Sequence, residues 1–208
     1  ADVLYFYGEN QNVTSVCQQQ LPTIPKGYEF DFVNAAALKD AISAKNEKLV
    51  SLAGNQYSVL KIDDNAQYIT VATLTKIKQL ADAGVLIVGK KPLKSPTLSD
   101  SELEFQKLVD EIWKKNNVVE TWEAAQKQAF PQADVRIAQT NHSILFRHRS
   151  GESEIYWLNN RSEQPTDAEI SFRVTGKTPE LWNAQTGTVE KVSYQIKEGR
   201  TIIPIHFE

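Results

Sequence analysis

Asp2-Val-Leu-Tyr-Phe-Tyr-Gly8 is the stretch that decides the fold of the first part of this chain. Its apolar and aromatic residues follow one another without the polar alternation of a half-exposed strand, and the run stops at a glycine. This pattern is typical of a strand that is buried on both faces of a parallel sheet. The sequence therefore predicts a first strand over residues 2–7 in the interior of such a sheet.

The next segments repeat a strand followed by a helix. Residues 28–33 alternate apolar and acidic side chains and predict a second strand. Asn34 follows in the position of an N-cap, ahead of the good helix formers of residues 35–42. The turn signal Gly54-Asn55 then predicts a short hairpin that leads into a third main strand over residues 57–62.

Two further helices are predicted in the same part of the chain. Thr70 begins a segment with an apolar helical stripe, and Gly84 follows it where a left-handed C-terminal cap is favoured. Residues 85–88 have the composition of another buried strand. Ser99 and Glu102 then form a capping-box pattern, which predicts the start of the next helix.

The pattern changes in the second half of the chain. Strands and helices alternate at the spacing of βαβ units, so residues 1–125 are predicted to form a flavodoxin-like α/β domain with a doubly wound parallel sheet. After about residue 130 no helical stripe appears, and short alternating runs are separated by turn residues such as Ser150-Gly151. Residues 131–208 are therefore predicted to form an antiparallel domain that resembles all or part of a β-sandwich.

Composition and charge exclude several classes of protein. The chain has 208 residues, of which 41% are hydrophobic and 24% charged, as is ordinary for a soluble globular protein. Its formal net charge of -3 gives no support for a nucleic-acid partner, whose phosphates need clustered Lys and Arg. No apolar run approaches the roughly 20 residues that span a bilayer, so no membrane partner is expected.

Cysteine and histidine usage gives no sign of a metal site. Cys17 is the single cysteine, which excludes an internal disulfide and a cysteine-based metal cluster. It lacks the strand-to-helix elbow and the neighbouring histidine of a catalytic thiolate, so a structural thiol is expected. His142, His148 and His206 do not have the spacing of a helical zinc pair, and histidines on strands are usually cross-strand neighbours.

The carboxyl ends of the first two strands are the expected ligand position of an open parallel sheet. Glu9 and Asn10 follow the first strand and Asn34 follows the second, so these three residues are candidates for substrate binding. The loop after Gly8 loosely resembles a flavin phosphate loop, but it has one glycine and carries Glu9, which would repel a phosphate. No cofactor is therefore predicted, and a loop hydrogen bond or a contact to a neighbouring domain is the alternative role for Glu9.

Trp157 and Trp182 are the candidates for sugar stacking in the second half. Aromatic side chains on strands belong more often to the core of a sandwich, so both roles stay open. Glycoside hydrolysis needs two carboxylates at a defined separation, and a sequence does not contain that separation. No catalytic residue is assigned.

Several motifs together resemble glycoside hydrolase family 106, the α-L-rhamnosidase-like enzymes of polysaccharide-degrading bacteria. The motifs are Asp2-Val-Leu-Tyr-Phe-Tyr-Gly-Glu9, Gly27-Tyr-Glu-Phe-Asp-Phe-Val-Asn34, Gly89-Lys-Lys-Pro-Leu-Lys-Ser-Pro96 and Pro179-Glu-Leu-Trp-Asn-Ala-Gln-Thr-Gly187. The resemblance implies a longer enzyme with a catalytic (β/α)-barrel, an α/β domain after it and β-sandwich domains beyond. This chain looks like the part after the barrel, and its start at Ala1 with strand-like sequence fits a segment of something longer.

The resemblance implies an accessory, non-catalytic role, in which the chain braces the barrel or lies at the edge of its substrate cleft. Its partners would be the barrel and other domains of the same polypeptide, with plant polysaccharide as a further ligand, in the periplasm or outside the cell. The family's catalytic carboxylates and calcium are transferred to no residue here, because no eightfold βα alternation is present. An independent carbohydrate-binding module and a flavodoxin-like cofactor-binding protein are the alternatives.

Overall fold

The computed structural model describes residues 1–10, 22–128, 130–138 and 144–207, and these residues form two compact units. The first unit comprises Ala1–Pro25 and Phe30–Pro131, and the second comprises Lys26–Glu29 and Gln132–Glu208. In the described ranges, no helix is long and apolar enough to cross a membrane.

The first unit is built on a five-stranded parallel sheet. Its strands are β1 (Val3–Phe6), β2 (Phe30–Val33), β6 (Val59–Ile62), β7 (Leu86–Val88) and β8 (Val118–Val119). They lie in the order β2-β1-β6-β7-β8, which is the 2-1-3-4-5 order of flavodoxin-like folds when the five strands are counted along the chain. The predicted doubly wound sheet is confirmed.

Helices cover both faces of this sheet. They are α1 (Ala35–Ala41), α2 (Val71–Asp82), α3 (Glu102–Trp113) and α4 (Trp122–Gln126). The first three contribute buried residues such as Leu38 and Ile77 to a core that contains Leu4, while α4 contributes Ala125 to a separate cluster with Val59. Successive residues of a strand point to opposite faces of the sheet. All four residues of β1 and of β6 are buried, so both strands are covered on both faces.

The ends of the helices follow local capping rules. Asn34 and Thr70 are the N-caps of α1 and α2, and Gly84 follows α2 with a φ of 84°. The capping box predicted at Ser99 is wrong by two residues. Ser101 is the N-cap of α3, where its hydroxyl accepts the N–H of Glu104 at 3.4 Å, while the Ser99 hydroxyl bonds to Thr97 in the preceding turn.

A small antiparallel sheet is inserted between α1 and β6. Its strands are β3 (Ile42–Lys45), β4 (Lys48–Ser51) and β5 (Gln56–Tyr57), in the order β3-β4-β5. The helix predicted to run to Ile42 ends one residue earlier, because Ile42 begins β3. Asn46 and Glu47 form the tight turn between β3 and β4 with φ values of 51° and 62°, as two-residue hairpins require.

The second unit consists of antiparallel sheets. The strands are β9 (Val135–Ile137), β10 (Ile144–Ser150), β11 (Glu154–Asn160), β12 (Thr166–Phe172), β13 (Glu180–Trp182), β14 (Val189–Lys191), β15 (Gln195–Lys197) and β16 (Arg200–Phe207). They form a four-stranded sheet in the order β15-β16-β12-β9 and the two ribbons β10-β11 and β13-β14. The predicted change to antiparallel strands is confirmed.

One core holds the second unit together. Ile170 and Ile203 of the four-stranded sheet and Ile144 of the β10-β11 ribbon belong to the same buried cluster, against which Phe146 and Leu158 pack. Arg200 is only 2% exposed. Its guanidinium donates to the Ser171 hydroxyl and to the carbonyl oxygens of Ala133, Asp134 and Ser171 at 2.8–3.0 Å. These bonds link β12 and β16 to Ala133 and Asp134, the residues that precede β9.

Candidate functional site

Glu9 lies at the carboxyl edge of the parallel sheet, just after β1, and its carboxylate binds the start of α2. The backbone N–H of Thr70 donates to Oε2 at 2.6 Å, and the hydroxyls of Thr70 and Thr73 lie 3.1 Å from Oε1. A carboxylate at this position also interacts favourably with the positive end of the helix dipole. Glu9 therefore makes hydrogen bonds, but its partners lie 61 and 64 positions away at the start of α2 and not within its own loop.

Asp100 supplies a second carboxylate to the same helix end. Its Oδ2 accepts the backbone N–H of Val71 at 2.8 Å and the hydroxyl of Ser95 at 2.7 Å. The N–H of Thr73 donates to the Thr70 hydroxyl at 3.3 Å. Three amides of the first turn are thus used by the protein's own oxygens, and two negative charges lie where a phosphate would have to sit. This arrangement does not favour an anion such as a flavin phosphate.

The two predicted asparagines are also engaged by the backbone. Asn34 follows β2, the neighbour of β1, and its Oδ1 accepts the N–H of Ala37 at 2.7 Å. Asn10 is exposed and donates from Nδ2 to the carbonyl of Asn65 at 3.4 Å. Glu9, Asn10 and Asn34 therefore share one edge of the sheet, where each stabilises local structure.

The sequence reasoning missed an acidic pair at this edge. Asp63 and Asp64 follow β6, and a pair of carboxylates at a strand end was the signal that could have found them. Asp63 Oδ2 accepts the Tyr5 hydroxyl at 2.6 Å, and Asp64 Oδ1 lies 2.6 Å from the buried Lys61 ammonium. Burial and the neighbouring Asp63 raise the pKa of Tyr5 well above its ordinary value. Both carboxylates have internal partners.

Trp157 and Trp182 are both on the surface of the second unit. Trp157 is 52% exposed on β11, and Trp182 is 72% exposed on β13, where its indole N–H donates to Glu180 at 3.3 Å. They lie on two different ribbons, β10-β11 and β13-β14. Trp157 has exposed apolar neighbours on its ribbon, namely Leu145 and Ile155.

A second group that the sequence reasoning missed surrounds His148 on β10. The ring Nδ1 lies 2.7 Å from Asp134 Oδ2, and Nε2 lies 2.8 Å from Glu154 Oε2. The ring also stacks on its cross-strand neighbour Tyr156, with centroids 4.0 Å apart, and the Tyr156 hydroxyl donates to Asp134 Oδ1 at 2.9 Å. The members of this group, from Asp134 to Tyr156, are spread over 23 positions and separate segments. Sequence motifs with a fixed residue spacing therefore do not find them.

The charges of this group shift the titration of its members. Burial alone would lower the pKa of His148, but hydrogen bonds and attraction from Asp134 and Glu154 outweigh it, so the pKa is raised. Burial likewise opposes ionisation of Asp134, yet its bonds to His148 and Tyr156 and the charge of Arg173 hold its pKa below the ordinary value. The pKa of Glu154 is lowered in the same way, by His148 and Lys177.

Two residues named in the sequence predictions, Cys17 and His142, lie outside the described ranges. Cys17 lies in 11–21, and His142 lies in 139–143. His206, the remaining histidine, is exposed and bonds to Asp167 on the neighbouring strand at 2.7 Å. Within the part of the chain that the structure describes, no group of three or more His, Cys, Asp or Glu side chains has the arrangement of a metal site.

Comparison with known proteins gives concordant matches over almost the whole chain. A family model described as alpha-L-rhamnosidase matches residues 1–196. A solved structure, a rhamnosidase from Novosphingobium sp. PP1Y, matches all of the chain with a TM-score of 0.90 and 32% identity. A protein of Formosa agariphila that carries the provisional name of a beta-glucuronidase is 33% identical over 99% of the chain. The chain spans 21% of the former and 18% of the latter.

Proposed function

The chain belongs to the α-L-rhamnosidase family of glycoside hydrolases, family 106, and from this premise we propose that it is an accessory, non-catalytic region of a longer enzyme. It would pack against the catalytic barrel and other domains of the same polypeptide. Its relatives are about five times longer, since the chain spans 18% and 21% of them. Their remaining length supplies ample sequence for a barrel whose own loops carry the reaction.

The engagement of Glu9 is the observation that carries this proposal. A glycosidase needs one carboxyl group that can donate a proton and a second that acts as base or nucleophile across the sugar. Glu9 is the acid that the sequence predicted to bind substrate at this edge, but both of its oxygens accept hydrogen bonds from Thr70 and Thr73. The Glu9 carboxylate therefore makes a stabilising contact at the edge of the sheet.

The longer enzyme would act in the periplasm or outside the cell. Polymeric substrates of glycoside hydrolases are found there, because a polysaccharide does not cross a bilayer. A plant polysaccharide is the proposed substrate class of the longer enzyme.

Activity assays of the purified 208-residue chain test the non-catalytic role. We expect no release of the aryl alcohol from an aryl α-L-rhamnoside above the buffer rate, and the same result for Glu9→Gln. The longer polypeptide that contains this chain serves as the positive control and is expected to hydrolyse the same substrate. Hydrolysis by the isolated chain that disappears in Glu9→Gln would overturn the proposal.

Carbohydrate binding is a second candidate, which the exposed face around Trp157 favours. Trp157 is 52% exposed on a two-stranded ribbon, with Arg147 as its direct cross-strand neighbour and exposed Ile155 two residues before it on the same strand. An aromatic face next to hydrogen-bond donors suits the C–H face and hydroxyls of a sugar. Titration calorimetry with pectin oligosaccharides tests this function, with Trp157→Ala expected to remove the heat and Trp182→Ala to retain it. An unchanged signal in Trp157→Ala would rule out this surface.

A further inference from the structure

The ring of His148 is enclosed by two carboxylates, and this geometry sets its protonation state. An ionised carboxylate only accepts hydrogen bonds, so each ring nitrogen must donate to satisfy its partner. The two contacts, 2.7 Å to Asp134 and 2.8 Å to Glu154, are both of the length of a charge-assisted bond. A neutral ring would turn one nitrogen lone pair toward a carboxylate oxygen at that distance. With both carboxylates ionised, this arrangement favours the doubly protonated imidazolium.

The carboxylates themselves are held in the ionised state. Asp134 Oδ1 accepts the Tyr156 hydroxyl and lies 3.6 Å from the Arg173 guanidinium, while Glu154 Oε1 lies 3.2 Å from the Lys177 ammonium. The stacked Tyr156 ring also presents its face to the imidazolium, which favours a cation over a neutral ring. A proton is thus stored on His148 and not on either acid.

The bonds of His148 join parts of the second unit that are far apart in sequence. His148 and Glu154 belong to the β10-β11 ribbon, whereas Asp134 directly precedes β9 of the four-stranded sheet. The ribbon also meets that sheet through the buried Ile144 and the partly buried Phe146 and Leu158. The bond between His148 and Asp134 and these apolar contacts therefore both hold the β10-β11 ribbon on the four-stranded sheet.

We infer that His148, Asp134 and Glu154 form a proton-operated clamp that holds the β10-β11 ribbon on the four-stranded sheet and loosens when the imidazolium loses a proton. The inference concerns the second unit alone and is independent of whether the chain is an accessory region. The clamp is closed in mildly acidic solution and opens as the pH rises through the folded pKa of His148, which lies above its ordinary value.

Other charged groups face the clamp and set its pH range. The backbone N–H of His148 donates to Glu29, which also binds the guanidinium of Arg147. Tyr156, Arg173 and Lys177 contact the two carboxylates directly. Glu29, Arg147 and Arg200 are the further charged groups next to the backbone of His148 and Asp134. Arg200 contacts the Asp134 backbone carbonyl, so its charge acts on the segment and not through a bond to the carboxylate.

The sign of the pH effect follows from linkage. Because the pKa of His148 is raised in the folded state above its ordinary value of 6.5, the folded state holds the proton more tightly than the unfolded state. The stabilisation is fully present below pH 6.5 and is lost as the pH rises through the folded pKa. Asp134 and Glu154, whose pKa values are lowered, lose their contribution only as the pH falls below the ordinary range of carboxyl groups.

Hydrogen exchange of the full 208-residue chain between pH 6 and 9 tests the clamp, with rates corrected for base catalysis. Protection of the β10 and β11 amides should fall relative to β12 and β16, by about tenfold for each unit by which the folded pKa exceeds the unfolded one. His148→Gln should abolish this relative fall. His206→Gln is the matched control, since His206 also bonds to one carboxylate but is exposed, and it should respond as the wild type does.

A direct titration keeps the test decisive if His148→Gln fails to fold. In the wild-type chain, the ring signals of His148 in an NMR titration should move with a midpoint above pH 6.5, and Glu154→Gln should shift that midpoint downward. A midpoint at or below 6.5 would overturn the clamp. So would equal protection of the two sheets across the whole pH range.

Discussion

The backbone N–H of Thr70 donates to Glu9 Oε2 at 2.6 Å, across 61 positions of sequence. This bond links the loop after β1 to the first turn of α2 at the carboxyl edge of the parallel sheet. It places a negative charge at a helix N-terminus, where the dipole favours it. The residue that looked most like a binding group is thereby a structural contact of the first unit.

Replacing Glu9 should therefore destabilise the first unit. Glu9→Ala leaves the Thr70 N–H without its acceptor and is expected to lower the free energy of unfolding by about 2 kcal/mol, whereas Glu9→Gln should retain part of the contact. Urea unfolding followed by circular dichroism measures the effect. Asn10→Ala is the matched control in the same loop, with an expected change below about 0.5 kcal/mol. Equal losses in the two alanine variants would contradict this role.

Tyr5 and Asp63 should respond to removal of a single hydroxyl. Tyr5→Phe leaves Asp63 without the 2.6 Å bond from the phenol, and we expect a loss of about 1–2 kcal/mol in the free energy of unfolding. Tyr57→Phe is the comparison, because its 3.0 Å bond goes to Asp31, which is exposed, and the loss should be smaller. A larger loss of unfolding free energy in Tyr57→Phe would show that exposure of the carboxylate partner does not determine the effect.

The same tyrosines predict an alkaline limit of stability. Burial and Asp31 raise the pKa of Tyr57 to about 12, and burial and Asp63 raise the pKa of Tyr5 further. Because both folded values exceed the unfolded value of 10.0, stability is full below pH 10 and falls as the pH rises above it. Absorbance of tyrosinate at increasing pH should show Tyr5 ionising only as the first unit unfolds. Ionisation of Tyr5 near pH 10 in the folded chain would disprove this.

Gly89 should not tolerate a side chain. It follows β7, and an added Cβ would lie 2.6 Å from the Cβ of Ile62, a distance at which one backbone must shift. Gly89→Ala is expected to cost about 1–3 kcal/mol through overpacking. Gly151→Ala is the control, because its nearest neighbour would be 3.8 Å away and the expected change is within about 0.5 kcal/mol. Thermal unfolding of the two variants compares them, and an unchanged melting temperature in Gly89→Ala would refute the steric explanation.

Arg200 should be among the most sensitive positions of the second unit. Arg200→Met removes the guanidinium donors from the carbonyl oxygens of Ala133, Asp134 and Ser171, of which Asp134 keeps the backbone N–H of Arg173, with an expected loss of about 2–4 kcal/mol. Arg149→Met removes an exposed arginine and should change stability by less than about 0.5 kcal/mol. Circular dichroism during urea unfolding measures both. Similar urea midpoints for the two variants would mean that the hydrogen bonds of Arg200 contribute little to the free energy of unfolding.

Local patterns determined the elements that depend on few neighbours. The strand Val3–Phe6 within the predicted range 2–7, the cap at Asn34 and the left-handed Gly84 follow from burial, side-chain hydrogen bonding and backbone freedom within a few positions. Family resemblance also followed from sequence alone, because the motifs keep their order along the chain. The shift from Ser99 to Ser101 as the cap of α3 shows the limit of such patterns, since two serines three residues before a glutamate compete.

Tertiary structure alone decided which polar groups meet. Glu9 reaches Thr70 across 61 positions, and Glu29 reaches Arg147 across 118, which places Lys26–Glu29 in the second unit although β2 follows directly in the first. The three members of the His148 clamp likewise come from separate segments. The sequence by itself determined the strands, helices and family, because these depend on periodicity and local capping. Only the folded chain decided the roles of its carboxylates, because a charge takes its role from the partner that long-range packing brings within hydrogen-bond distance.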